Sequence, residues 1–210
     1  MSPRRYLEIV EHYESCLERH GDGHLGVDWP RSEDAAVRYD VMLDVVRREG
    51  ADATVTLLDF GCGAAHLYEH MLATGVRGID YAGLDLSEKF VALSRSKFPT
   101  RTFYCADVLV DDGGLPTFDY VVMNGVFTEK RSLGQEDMRS YFEQVLRRVW
   151  AKTGRGLAFN VMSKHVDWER EDLFHLPFDE LASFLTRELS RSFVLRNDYG
   201  LFEYTTYVYR

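Results

Sequence analysis

The chain reads as an α/β protein with a mostly parallel sheet, and three observations carry that expectation. Apolar runs alternate with amphipathic helical stretches from Leu57 onward. The first run, Leu57-Leu58-Asp59-Phe60, passes directly into Gly61-Cys62-Gly63 and then into a helical pattern. A carboxylate or amide stands at or beside the end of four successive runs: Asp59, Asp85, Asp107 and Asn124. In an open parallel sheet such positions gather beyond the carboxyl ends of the strands, where ligands bind.

Each element follows from local pattern. Leu7, Val10, Tyr13 and Leu17 recur at helical spacing over residues 4–19, and Gly21 stops that helix. The stretch Gly21-Asp22-Gly23-His24-Leu25-Gly26 is flexible by composition. Ser32 is positioned to cap a second helix that runs to about Arg48, with Val37, Val41 and Val45 along one stripe. Strands are expected at Leu57–Phe60, around Tyr81–Asp85, at Arg101–Cys105, at Phe118–Met123 and at Gly156–Met162. Met138, Phe142, Val145, Leu146 and Val149 mark the inward face of a long helix before the fifth strand. Leu181, Phe184 and Leu185 make a core stripe on a helix that begins at Phe178. The last two strands, Phe193–Asn197 and Phe202–Tyr209, flank a hairpin-type turn at Asp198-Tyr199-Gly200.

The glycine turn narrows the chemistry. Gly61 and Gly63 permit a tight turn and close approach of the backbone to a ligand, and the helix amides that follow suit a polar or anionic group. A dinucleotide fingerprint requires a third glycine where His66 stands. Asp59 lies close enough to repel a pyrophosphate and suits an amino group or a sulfonium instead. Asp85 comes 22 residues after Gly63, the place at which an acid holds a ribose diol, about 20 residues past the turn. A carboxylate accepts both hydroxyl hydrogen bonds of such a diol.

These motifs resemble those of the class I S-adenosylmethionine-dependent methyltransferases, over roughly Leu57 to the C-terminus. LLDFGCGAAHL is similar to that family's first motif, YAGLDLS to its ribose-binding acid, CADVL to its adenine-side acid and FDYVVMNGVF to its fourth motif. The resemblance implies a Rossmann-like, mostly parallel seven-stranded sheet with helices on both faces, an antiparallel last strand and an N-terminal helical addition. It implies S-adenosylmethionine as cofactor and S-adenosylhomocysteine as product. Gly61 and Gly63 would then flank the methionine part, Asp85 and the adjoining Leu86 the ribose, and Asp107 and Val108 the adenine. The Asn124-Gly125-Val126 backbone would face the amino-acid end and the substrate. Ala65 replaces the third glycine of that family's G-x-G-x-G. Residues 1–50 would form a lid over the cofactor domain, 51–210, with Trp29, Arg38 and Tyr39 as lid residues. Arg38 is a candidate partner for the cofactor carboxylate, and His66 a candidate cofactor contact or helix cap.

Composition excludes several classes. A formal net charge of −9 and no Lys/Arg run argue against a nucleic-acid partner. Arg4-Arg5, Arg47-Arg48 and Arg147-Arg148 read as solvated pairs. Cys16, Cys62 and Cys105 form no C-x-x-C, so neither a zinc site nor a disulfide framework is indicated, and reduced cytoplasmic thiols are the simple reading. No signal peptide or membrane-spanning run is visible.

The expected acceptor is a small molecule methylated at oxygen or nitrogen. Asn160 to Glu169 follows the fifth strand and emerges at the cofactor edge, so His165 is the candidate base, Asp167 its orienting acid and Trp168 an apolar wall. His165, Asp167, Glu171 and His175 match no compact metal spacing. Two rival readings are a nucleotide-dependent oxidoreductase, disfavoured by Asp59 and His66, and a non-catalytic scaffold, disfavoured by intact Gly61, Gly63 and Asp85. A protein acceptor is a third.

Overall fold

The computed structural model describes residues 4–47 and 53–210. Strands β1 (Val55–Phe60), β2 (Ile79–Asp85), β3 (Thr102–Cys105), β4 (Phe118–Met123), β5 (Thr153–Met162), β6 (Phe193–Arg196) and β7 (Glu203–Tyr209) form one sheet in the order β3-β2-β1-β4-β5-β7-β6. The pairs β1–β2, β1–β4, β2–β3 and β4–β5 are parallel, and β7 runs antiparallel to both β5 and β6. The winding direction reverses between β1 and β4. That switch point opens a crevice at the carboxyl edge.

Among the described residues six helices cover the sheet: α1 (Leu7–His20), α2 (Ser32–Leu43), α3 (His66–Thr74), α4 (Glu88–Lys97), α5 (Gln135–Ala151) and α6 (Phe178–Glu188). Period-two alternation along β1 sends Leu58 and Phe60 into one apolar cluster and Val55 and Leu57 into the other. The first cluster takes Ile9 of α1, Phe142 and Val145 of α5 and Leu181 and Phe184 of α6. The second takes Val41 and Met42 of α2, Leu67 and Met71 of α3 and Val91 of α4. The two helices before β1 therefore cover opposite faces. Phe127 and Phe174, aromatic residues in loops beside the site, are fully buried in the first cluster as core.

Three local expectations need correction. Ser32 is the first residue of α2, and Arg31 holds the cap position without a side-chain hydrogen bond. Glu33 and Asp34 place negative charge in the first turn, which suits the helix N-terminus. The regular helix ends at Leu43, because Val45 N and Val46 N bond back three residues, to Met42 O and Leu43 O, in a tightening final turn. Arg48 lies outside the described residues. The glycine-rich stretch after α1 is an ordered 3-10 turn, His24–Val27, in which a Cβ on Gly26 would fall 2.0 Å from Gly21 O. Close approach, more than flexibility, is what glycine provides there.

Candidate active site

The β1 turn is built as its sequence requires. Gly61 N and Cys62 N both donate to Leu84 O, at 2.7 and 3.0 Å, and tie the turn to β2. Gly61 has φ 74° and a Cβ there would sit 2.6 Å from Val126 Cγ2. Ala65, at the third-glycine position, adopts φ 60° and ψ 35° just before α3. The backbone keeps the glycine-like conformation although the residue carries a Cβ, at a strain cost of order 1 kcal/mol.

Asp85 closes β2 with its oxygens oriented by backbone amides: Gly63 N donates to Oδ2 and Ser87 N to Oδ1, each at 2.9 Å. Burial raises its pKa, and those amides partly oppose the rise. Ser87 caps α4 by accepting from Phe90 N at 3.3 Å. Asp59 is 3% exposed and accepts a 2.8 Å hydrogen bond from Tyr81 Oη. Burial, aided by the nearby Asp85 charge and opposed by the Tyr81 hydrogen bond, pushes its pKa up to about 7. A cationic ligand would restore its negative charge, whereas an anionic one would meet a carboxyl that has no reason to ionise.

A cavity of about 980 Å³, measured with its open mouth, lies over this turn. It is lined by Asp59, Gly61, Gly63, His66, Asp85, Leu86, Asn124, Gly125 and Val126, all of which the sequence pattern brings to one place. Tyr6, Tyr13, Trp29, Tyr39 and Tyr141 close it from outside the strand ends. His66 opens α3 and pairs through Nε2 with Asp22 at 2.7 Å.

Three of the cofactor candidates, Asp107, Val108 and Arg38, lie elsewhere. Tyr6 Oη donates to Asp107 Oδ2 at 2.6 Å, and Val108 is buried in the core, so neither residue lines this cavity. Tyr6, the residue before α1, stacks on Tyr141 at 4.8 Å and lies between Asp107 and the cavity. Arg38 Nε lies 2.8 Å from both carboxylate oxygens of Glu203, with its guanidinium 4.1 Å above the Trp29 ring. It faces a second cavity.

That second cavity, about 1360 Å³ with its mouth, shares Tyr13 and Trp29 with the first. Arg38, Glu129, Met162, Asp167, Trp168, His175, Phe202 and Glu203 also line it. A hydrogen-bond chain joins the two spaces. Asn160 Nδ2 donates to Glu203 Oε1 at 2.7 Å and to Asn124 Oδ1 at 3.3 Å, while Gly125 N donates to Asn160 Oδ1 at 2.8 Å. Asn160 and Glu203 are buried polar residues within strands, and that was the signal available in an otherwise apolar pattern.

His165 and Asp167 do not form a pair. The His165 ring stacks on Phe178 at 5.1 Å, is exposed and lines neither cavity. Asp167 sits exposed at the rim of the second cavity, and among the described residues no hydrogen bond joins it to His165. The chain turns after Ser163, whose Oγ accepts from His165 N at 3.0 Å. Of the wider cluster, Glu171 lies on another face and only Asp167 and His175 reach the second cavity.

Comparison with known proteins now decides the family. Residues 58–155 match the model of a methyltransferase domain. The chain is 30% identical over 155 residues to Rv1506c of Mycobacterium tuberculosis, a protein carrying a methyltransferase name, covering 71% of this chain and 90% of that one. The chain is a class I S-adenosylmethionine-dependent methyltransferase. Among solved structures, this methyltransferase is similar to magnesium protoporphyrin IX methyltransferase from Synechocystis with bound S-adenosylhomocysteine, at TM-score 0.65 and 15% identity over 97% of this chain and 99% of that one. It is also similar to the S-adenosylmethionine-bound amino pentose methyltransferase CalS10 from Micromonospora echinaspora, at TM-score 0.57 and 17% identity over 95% and 96% of the two chains. The oxidoreductase reading is thereby set aside. Among the described residues no helix of the methyltransferase is long and apolar enough to cross a membrane.

Proposed function

We propose that this methyltransferase acts on oxygen or nitrogen of a small-molecule acceptor in the cytoplasm, with the first cavity holding S-adenosylmethionine. The observation that carries the reading is the pair of cavities meeting at Tyr13 and Trp29 beyond the carboxyl ends of β1 and β4. One space has the motif residues of the cofactor; the other is free for an acceptor. The names of the porphyrin and amino pentose enzymes with this fold support a small acceptor. A net charge of −9 speaks against nucleic acid.

In this reading Asp85 accepts from the ribose hydroxyls, its orientation set by Gly63 N and Ser87 N. The buried Asp59 carboxyl becomes an anion opposite the cofactor's positive end. Gly125, with φ 76°, leaves open backbone beneath Trp29, since a Cβ there would lie 3.2 Å from Trp29 Cζ2. The Tyr6–Tyr141 stack forms the wall on the adenine side, and the first fifty residues serve as the lid. Bound in this cradle, S-adenosylmethionine supplies an electrophilic methyl group on a positively charged sulfur. The protein's own work is alignment, exclusion of water and removal of the acceptor proton.

Calorimetric titration of the ligand-freed protein with S-adenosylmethionine, S-adenosylhomocysteine and NADH tests the cofactor site. Micromolar binding of the two sulfur compounds only, lost in Asp85→Ala, is the expected result. Binding that survives that substitution would remove Asp85 from the ribose role.

A further inference from the structure

We propose that the second cavity is the acceptor site for a hydroxyl-bearing ring, and that His175 is the general base that takes the hydroxyl proton; this rests on the placement of the cofactor in the first cavity. His175 is 3% exposed and lines the second cavity. Its Nδ1 lies 2.6 Å from the carbonyl oxygen of Ser163. A carbonyl only accepts, so Nδ1 carries the proton and Nε2 of the neutral ring is a bare lone pair. Among the described residues Nε2 has no hydrogen-bond partner. A buried acceptor left unpaired is destabilising, and a hydroxyl donor from a ligand would relieve it.

The surroundings fix the ring in place. The bridge between Met162 and His175 holds its backbone beside the end of β5, and Gln135 Nε2 donates to His175 O at 2.9 Å. Imidazole rotation is thus limited by bonds on both the ring and the main chain.

The donor chemistry points to a hydroxyl. A neutral Nε2 accepts from O–H, and a hydroxyl must lose its proton as it is methylated. In that step the hydroxyl oxygen attacks the methyl carbon of bound S-adenosylmethionine and a C–O bond forms. The C–S bond breaks with its electron pair left on sulfur, and the proton passes to Nε2 and later to solvent. Flat apolar surfaces at the mouth suit a ring: Trp168 and Phe202 are 74% and 67% exposed, and Trp29 forms the inner wall. A phenol and a sugar share this chemistry.

The test uses the full chain labelled with 15N-histidine and saturated with S-adenosylhomocysteine, whose binding separately checks the cofactor site. At pH 7.5 the His175 signals should show a protonated Nδ1 and an unprotonated Nε2. Catechol or methyl α-D-glucopyranoside should shift the Nε2 resonance saturably, and whichever does so identifies the source of the hydroxyl. Anisole, a ring with no O–H to donate, should not. His175→Asn, which retains a donor for Ser163 O, should remove the probe response and leave S-adenosylhomocysteine affinity within about twofold. With an acceptor in hand, His175→Gln should lower kcat by about 100-fold with little change in KM. A proton on Nε2, an equal shift with anisole, or no shift with any probe would overturn the proposal while leaving the cofactor reading intact.

Discussion

The first cavity has a floor of backbone turns at strand ends under a cover of aromatic side chains, whereas the cavity beside it is lined by side chains drawn from stretches scattered between Tyr13 and Glu203. In the first, Gly61, Gly63 and Asp85 act through one turn that two carbonyl and two carboxylate contacts hold in place. In the second, Arg38, Glu203 and His175 are placed only because α2, β7 and the loop after β5 converge. A site made of turns tolerates variation around it. A site made of convergent side chains changes with every loop, which is how one fold serves many acceptors.

Asp85→Ala should separate the two cavities most sharply. Affinity for S-adenosylmethionine should fall by about 100-fold or more in calorimetry, since both ribose hydrogen bonds are lost. The second cavity should be unaffected, and an equal loss of probe binding there would show that the two spaces are one site.

The next largest effect is in stability. Arg38→Met leaves the Glu203 carboxylate buried beside Asn160 without its cation. Chemical denaturation should report a loss of about 3 kcal/mol, and the added Glu203→Met should recover much of it. A double variant as unstable as the single one would mean that the pair acts through packing alone.

A pH effect follows from Asp59, whose pKa burial raises to about 7. The unfolded chain ionises this acid near pH 4, so between those values the folded protein holds the extra proton. Stability from this group is therefore full below the unfolded pKa and is lost as pH rises toward 7. Binding of the positively charged cofactor runs the other way. Its affinity should fall by up to tenfold per pH unit below about 7, because the proton must first leave. Asp59→Asn should flatten that slope, bind S-adenosylmethionine more weakly and raise the melting temperature at pH 8.

The smallest effect concerns the residue that the sequence singled out as base. His165→Ala removes an exposed ring stacked on Phe178. Stability should change by about 0.5 kcal/mol or less and S-adenosylhomocysteine affinity by less than twofold. A hundredfold loss of kcat in His165→Ala would return that residue to the active site.

His165 and His175 show where reading the sequence stops. Both follow β5 and both are imidazoles on the correct edge of the sheet. Nothing in residue type or spacing distinguishes them, because the distinction lies in the turn after Ser163 and in the bridge that returns His175 to Met162. Asp107 is the same case. Its position at a strand end was legible, but the Tyr6 hydroxyl that occupies its carboxylate comes from the residue before α1, far away in the chain.

The sequence by itself determined the alternation of strands and helices, the glycine turn and the acids at the strand ends, and the resemblance that these motifs carry implied the cofactor. These depend on interactions within a few residues or on a single βαβ unit, so local pattern encodes them. The tertiary structure alone decided that Arg38 pairs with Glu203, that Asn160 links the two cavities and that the buried His175 Nε2 is left without a hydrogen-bond partner among the described residues. Each of these requires that groups remote in sequence be brought within hydrogen-bonding distance, or held apart from every partner, and only the packed chain fixes such distances.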